Sequence, residues 1–364
     1  MDKKKILIIS SVGTKTPPTD EKGRPSYGGL EAIAAWEAIE LHRRGHEVTL
    51  VVSIDSDPKQ FPEGLTLVPT VFSRIQGIAE LDMFEIVKQR IKWEDYDIVQ
   101  DHSHSAVAKA AQRELEAAGK ESPRFYWTIH NDIHFRSPPP VKWPNVIVPS
   151  HALGMRYAEA FPGHVAEVAW HGIPMALYPF NATGGDRFRF LFVGRIQAIK
   201  GPHLAIGLCR SLGYPLDVVG PDTHLGADDP YVVRIKSMCD GEQIRYVGGV
   251  SHEEKVRYMQ NALAVLLPST WNDPFNLVAS ESMACGTPIL TSEMGGLPEQ
   301  SVWIDGACCT QAVMAAKMQR IVEMRRKDWA GYTGKRFRSR AVVEEHFTVE
   351  KMVDRYLASY ERCW

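Results

Sequence analysis

The sequence predicts an α/β protein built from two doubly wound parallel sheets. Three observations predict it. The chain has 364 residues, the length of about two ordinary domains. Short apolar runs alternate with helical segments twice over, once up to residue 148 and again from residue 188. Strands alternating with helices imply parallel pairing. Between the two series, residues 172–187 are polar and carry Gly and Pro, the composition of a linker.

Each element follows from its own residues. Ile6 to Ser10 is a short apolar run, hence a first buried strand. Leu30 to Arg44 is helical and ends at Gly45, a fitting cap. Val48 to Val52 is the next strand. Ile98-Val99, Phe125 to Ile129 and Val146 to Val148 are further short apolar runs bounded by polar residues. The second series opens with a strand at Phe188 to Val193, closed by Gly194. A helix over Leu204 to Leu212 and a strand at Leu216 to Val219 follow. Ile244 to Val247 is short and precedes Gly248-Gly249. Glu253 to Asn261 is helical, Ala264 to Leu267 a strand, and Ile289-Leu290 another. Two such domains facing each other leave a cleft, and in open parallel sheets ligands bind at the carboxyl ends of strands.

Composition excludes several function classes. The apolar fraction is 44%, the charged fraction 24% and the net charge -2, so no whole-molecule attraction draws the chain to nucleic acid. The six cysteines (209, 239, 285, 308, 309 and 363) form no Cys-x-x-Cys pair and no zinc spacing. They predict free thiols in a reducing cytosol and no metal. The opening run after Lys3-Lys4-Lys5 is too short for a secretory signal, with no small-residue cleavage site behind it. No segment is apolar enough to span a bilayer. A cytoplasmic location is expected. Residues 317–340 carry nine Lys/Arg against Glu323 and Asp328. They read as a solvated helix face or as an attraction to an anionic membrane, at the inner face, or to a polyanionic acceptor.

The most informative segment runs from Asn272 to Pro288. Asp273 and Glu281 stand eight positions apart around Phe275-Asn276-Leu277-Val278, and Glu281 is expected to open a helix. Helix N-terminal amides suit a diphosphate, and a carboxylate on the next turn accepts from sugar or ribose hydroxyls. A plain reading also exists: Asp273 as a turn residue before Pro274, and Glu281 as a partner of the helix dipole. Gly194-Arg195 and Lys200-Gly201 follow a strand and precede a helix. Arg195 and Lys200 would converge there on a diphosphate, or be two solvated loop cations. No P-loop and no Gly-x-Gly-x-x-Gly after a strand is present.

Tyr27-Gly28-Gly29-Leu30-Glu31 closes a long loop after the first strand. Its glycines let backbone approach a ligand, or form a plain helix entry. Lys15, Lys22 and Arg24 on that loop suit an acceptor surface. Two histidine segments, Asp101-His102-Ser103-His104 and Ile129-His130-Asn131-Asp132, follow consecutive strands. They are functional or structural; zinc at His102 and His104 lacks a third ligand.

Taken in order, these residues resemble the retaining glycosyltransferases of family 4, the group 1 glycosyltransferases. The specific part runs from Phe192-Val193-Gly194-Arg195 and Lys200-Gly201, through Tyr246-Val247-Gly248-Gly249, to Ser280-Glu281-Ser282-Met283-Ala284-Cys285-Gly286-Thr287-Pro288 and Gly295-Gly296-Leu297-Pro298-Glu299. The resemblance implies the GT-B fold, two Rossmann-like doubly wound domains. Residues 1–172 would form the acceptor side, with a last helix at about 349–364 packing back on it, and residues 173–348 the donor-binding domain. It implies a retaining, metal-independent hexosyltransferase acting by a front-face mechanism on a UDP-sugar. The acceptor would be a glycan, a lipid-linked carrier or a small molecule, with no nucleic acid partner and a monomeric or homodimeric protein.

Residue by residue, Arg195 and Lys200 would hold the donor diphosphate and Glu281 the ribose. Asp273 would contact the donor sugar, and the backbone at Asn276, Leu277 and Val278 would meet sugar and phosphates. The stretch with Gly194, Val247 and Gly248 would border the nucleotide. His130, with His102 on the neighbouring strand, would lie beside the donor sugar, and Gly28 and Gly29 would approach the phosphates. Two departures stand out. The first position of the family's Glu-x7-Glu motif is Asp273, and Asn276 stands where the family has Gly. A non-catalytic nucleotide-sugar-binding protein and a GT-B sugar-nucleotide epimerase are the competing readings.

Overall fold

The structure is a computed structural model and describes residues 2–19, 28–73, 78–131, 145–185, 188–222 and 228–362. Tyr27, Lys22, Arg24, Asp132 and Cys363 lie outside the described residues. The chain divides into two compact units, residues 1–172 with 349–364, and residues 173–348.

The first unit is built on a parallel seven-stranded sheet: β1 (Lys5–Ile9), β2 (Glu47–Val52), β3 (Thr66–Pro69), β4 (Ile98–Asp101), β5 (Arg124–Thr128), β6 (Val146–Val148) and β7 (Ala166–Val168), in the order β3-β2-β1-β4-β5-β6-β7. Its helices are α1 (Gly29–Arg43), α2 (Ile78–Arg90), α3 (Ala108–Ala117) and α4 (His151–Ala160). Residues Ile6 to Ile9 are fully buried, because helices on both faces leave a central parallel strand no wet side. Leu7, Ile9, Val51, Val99, Met83 and Val87 share one core. Helix α1 stops where expected: Gly45 has φ 91, and its N–H reaches the His42 carbonyl at 2.9 Å.

The second unit carries a parallel six-stranded sheet: β8 (Phe190–Val193), β9 (Leu216–Val219), β10 (Ile244–Gly248), β11 (Val265–Leu267), β12 (Ile289–Ser292) and β13 (Ala307–Cys308), in the order β10-β9-β8-β11-β12-β13. The helices are α5 (Pro202–Leu212), α6 (Pro230–Ser237), α7 (His252–Asn261), α8 (Leu277–Ala284), α9 (Leu297–Ser301), α10 (Gln311–Lys327) and α11 (Trp329–His346). Phe190, Phe192, Leu216, Val218, Leu266 and Met318 form its core. Both sheets reverse strand order beside their first strand, the crevice where open α/β sheets take ligands.

Helix α12 (Val349–Glu361) belongs to the first unit. Arg44 grips it through Asp354 at 2.7 Å, and Tyr356 meets Thr128 at 3.0 Å.

Two expectations need correction. The polar stretch after residue 172 is not a free tether: Arg336, fully buried, donates to the Asn181 carbonyl at 2.8 Å, and Arg340 to that of Tyr178 at 2.8 Å. Buried guanidinium groups persist because each N–H finds an oxygen. For the same reason the basic stretch 317–340 is not solvated along its whole length. Lys317 bridges to Asp305 at 2.7 Å and Lys335 donates to the Ile304 carbonyl at 2.6 Å. Arg325 stacks on Trp329. No helix among the described residues is long and apolar enough to cross a membrane.

Candidate functional site

In the second unit the site residues gather at the carboxyl ends of β8 and β11. Gly201 starts α5 at φ 73, and a Cβ there would collide with the Pro268 carbonyl oxygen. Only glycine fits so close an approach at positive φ. The contact is sealed on both sides: the Thr270 N–H and the Ser269 hydroxyl each donate to the Ile199 carbonyl at 2.9 Å. The loop after β8 is thus stitched to the loop after β11. That places Lys200 Nζ 2.5 Å from Asp273 Oδ2, with the ammonium over the Trp271 ring at 5.0 Å. Asn276 Nδ2 donates to the same oxygen at 3.0 Å. Asp273 and Asn276, the two departures from the family pattern, are therefore one coupled unit.

Asn276 is also held through its backbone. Its N–H goes to Gln300 Oε1 at 3.2 Å and its carbonyl accepts from Gln300 Nε2 at 3.0 Å. The fully buried Gln300 thereby clamps the entry of α8. The helix begins at Leu277, so Leu277 and Val278 supply its first N–H groups, which have no intrahelical acceptor.

Glu281 does not open the helix. It is the fifth residue of α8, 6% exposed. Tyr178 donates its hydroxyl to Glu281 Oε1 at 2.7 Å and Lys255 its ammonium to Oε2 at 2.9 Å. Burial first, and Glu281 second, push the Tyr178 hydroxyl well above its ordinary range, so it stays a neutral donor. Burial likewise pushes the Cys285 thiol up to about 12. Glu281 and Asp273 thus sit in separate polar clusters, each holding a lysine.

Gly194 follows β8 directly at φ 156, and Arg195 behind it is half-buried. Val247 and Gly248 end β10, where Gly248 accepts the Gly220 N–H at 2.9 Å. The glycine-bearing ends of β8, β9 and β10 therefore lie side by side.

The first unit holds the histidines. Gly28 precedes α1, and a Cβ on it would collide with Thr14 and Pro18. Glu31 takes the Thr14 N–H at 3.1 Å and pins the loop after β1 onto the start of α1. Asp101 closes the turn after β4 by accepting the Ser103 and Ala108 N–H groups at 2.7 and 2.8 Å. Burial nevertheless pushes it up to about 6. His102, fully buried, meets Glu37 through Nε2 at 2.8 Å and His130 through Nδ1 at 3.0 Å. His130 Nδ1 meets His171 Nε2 at 3.2 Å. Burial, with His102 second, holds the His171 imidazole down to about 3. His104 gives its backbone N–H to Glu80 at 2.9 Å. Among the described residues no cluster of three His, Cys, Asp or Glu side chains is arranged to hold a metal ion, and five cysteines are free.

The structure therefore brings Lys200, Asp273 and Asn276 together, and His102 with His130. Sequence reasoning missed Tyr178, Lys255, Trp271 and Gln300 in the second unit and Glu37, His171 and Tyr360 in the first. Trp271 stands two residues before Asp273 and was within reach of motif reading. The others are joined to the site only through space.

Two parallel sheets, each reversing beside its first strand with polar clusters at the strand ends, make this a GT-B fold. Solved structures agree. Sucrose-phosphate synthase from Thermosynechococcus elongatus superposes with a TM-score of 0.73 at 18% identity, covering 98% of each chain. Anabaena HepE in complex with UDP and glucose gives 0.69 at 16% identity, over 98% of this chain and 99% of that one. The model of glycosyl transferases group 1 matches residues 179–333, and that of Glycosyltransferase Family 4 residues 27–177. The chain is thus similar to the group 1 glycosyltransferases over its second unit and to Glycosyltransferase Family 4 over most of its first. The glycogen synthase of Mycobacterium tuberculosis (strain CDC 1551 / Oshkosh) is 33% identical over 166 residues, 43% of this chain and 39% of that protein. The match thus spans well under half of that relative's length.

Proposed function

We propose that this protein is a retaining, metal-independent glycosyltransferase that moves a hexose from a nucleoside diphosphate sugar to an acceptor hydroxyl. The observation that carries the reading is the Lys200–Asp273–Asn276 cluster beside the open start of α8. The lysine has three donors and spends one on Asp273, which leaves donors for a diphosphate. Arg195 and the first amides of α8 add positive potential where leaving-group charge develops. Metal independence rests on that set of fixed donors. Glu281, held by Tyr178 and Lys255, is proposed to accept the ribose hydroxyls. Both bonds to Asp273 fall on Oδ2, so Oδ1 is directed to a hydroxyl of the donor sugar.

In the proposed reaction the bond from the anomeric carbon to the diphosphate oxygen breaks, and the acceptor oxygen bonds the same face of that carbon. The leaving phosphate takes the acceptor proton, and Arg195 and Lys200 neutralise the nucleoside diphosphate. His130 would position the sugar, and Gly28 and Gly29 would approach the phosphates. Uridine is the proposed base, in keeping with the UDP in the Anabaena relative. The acceptor class stays open between glycan, lipid-linked carrier and small molecule, with a cytoplasmic protein contacting a membrane peripherally if the acceptor is lipid-linked.

The test is nucleoside diphosphate release from UDP-, GDP- and ADP-sugars with EDTA present, in the wild type and in Glu281→Ala. Release from one donor, lost in the variant, supports the reading and names the sugar. A product of inverted anomeric configuration overturns retention; failure of every donor to raise the melting temperature overturns the donor site.

A further inference from the structure

The chain of rings from Glu37 to His171 is more ordered than a packed core requires. Glu37 and His102 are both fully buried. A carboxylate only accepts hydrogen bonds. Glu37 takes the Tyr360 hydroxyl on Oε1 at 2.8 Å and His102 Nε2 on its other oxygen, also at 2.8 Å. His102 therefore carries its proton on Nε2. In the neutral imidazole, which has one N–H, His102 Nδ1 is then an acceptor, and the 3.0 Å contact with His130 assigns the donor role to His130 Nε2. The same step repeats: His130 Nδ1 becomes an acceptor, and the 3.2 Å bond is donated by His171 Nε2. Every hydrogen bond points toward the carboxylate. Which nitrogen of an imidazole carries the proton is set by the bond its other nitrogen makes.

We propose that Glu37 is a positioning residue: through His102 it fixes His130 as the Nε2–H tautomer, so that His130 Nδ1 accepts from a hydroxyl of the transferred sugar in place of His171. The inference rests on the reading that His130 attends the donor sugar. Glu37 lies on α1 and never touches the sugar. Tyr360, on α12, holds the second oxygen and keeps the carboxylate in register with His102. No proton leaves the chain in this role.

The experiment uses the full-length protein with ring-nitrogen-labelled histidine and long-range proton–nitrogen correlation spectra. Signals of His102 and His130 are assigned by their loss in His102→Gln and His130→Gln. The expected wild-type pattern is Nε2–H at both residues. In Glu37→Gln, whose amide donates as readily as it accepts, the His130 pattern is expected to shift to Nδ1–H or a mixture. With turnover measured on the same samples, kcat of Glu37→Gln is expected to fall on the order of 10- to 100-fold, with the donor KM within about twofold. An Nδ1–H His130 in the wild type overturns the proposal without any variant, which covers the case in which Glu37→Gln fails to fold. An unchanged His130 tautomer in a folded Glu37→Gln overturns it as well. The tautomers need no substrate. If they come out as expected while the wild type turns over no nucleotide sugar, the transferase reading has failed and not the Glu37 relay.

Discussion

The two units solve the problem of a polar site in opposite ways. The second unit uses ions at short range: Lys200 with Asp273 at 2.5 Å and Lys255 with Glu281 at 2.9 Å, each lysine retaining some contact with water. The first unit uses a line of imidazoles ending on one fully buried carboxylate, with its far ring held neutral. Ion pairs that reach solvent suit a charged ligand that arrives and leaves, because the lysine can change partner at small desolvation cost. A line of rings that ends in an imidazole held neutral cannot follow a charge cheaply, but it fixes direction. The first arrangement suits affinity for a diphosphate; the second suits orientation.

That contrast predicts unequal penalties. Lys200→Ala is expected to have the largest effect. Transfer should fall by about a thousandfold, the cost of one charge-stabilising donor. Stability should drop by about 3 kcal/mol, because Asp273 is left almost buried without its cation. Steady-state rates and urea midpoints check both. A loss of stability without loss of activity would break the comparison by making the pair structural only.

His171→Gln probes the other unit and should show itself in pH dependence. The His171 imidazole lies near pKa 3 folded, against 6.5 for the free side chain. As pH falls through 6.5 the unfolded chain takes a proton that the folded chain refuses until about pH 3. Stability from this ring is complete above pH 6.5 and drains away down to about 3. The variant should flatten that limb by up to about 5 kcal/mol. Urea midpoints across this range that stay parallel to the wild type would sink the idea that the far ring is held neutral.

A smaller effect is expected of Tyr178→Phe. It removes one donor from Glu281 but leaves Lys255. Nucleotide affinity, read by calorimetry, should weaken about five- to tenfold, the worth of about 1 kcal/mol. Smallest of all, Lys327→Ala removes an exposed i,i+4 partner of Glu323. It should change stability by less than about 0.5 kcal/mol by thermal melting, which separates the used cations of 317–340 from the idle ones.

How much was legible depends on whether a residue's partners are near in sequence. The central strands were readable because burial on both faces makes them continuous apolar runs, as in Ile6 to Ile9. Strand β3 was not: it is an edge strand, half-exposed at Leu67 and Val68 and ended by Pro69. Helix α2 went unread too, since Ile78 to Arg90 mixes charge and apolar residues with little facial separation. Among the candidate site residues, Gly194, Lys200 and Asp273 were visible because a loop at a strand end is a local object, and Glu281 because it stands on the helix that such a loop leads into. Glu37 was not, since nothing near it in α1 marks it as the partner of a residue 65 positions away.

The sequence by itself determined the α/β class, the two series of parallel strands, the carboxyl ends of those strands and the cations and carboxylates placed near them. These follow from hydrophobic period, glycine positions and spacing, which are properties of short stretches of chain. Only the tertiary structure decided that Glu281 sits inside α8 under Tyr178 and Lys255, that Asn276 serves Asp273, and that Glu37, His102, His130 and His171 form one line. Those facts depend on which buried donor finds which buried acceptor. Burial forces every such group to find a partner, but the partner's identity comes from the packing of distant segments.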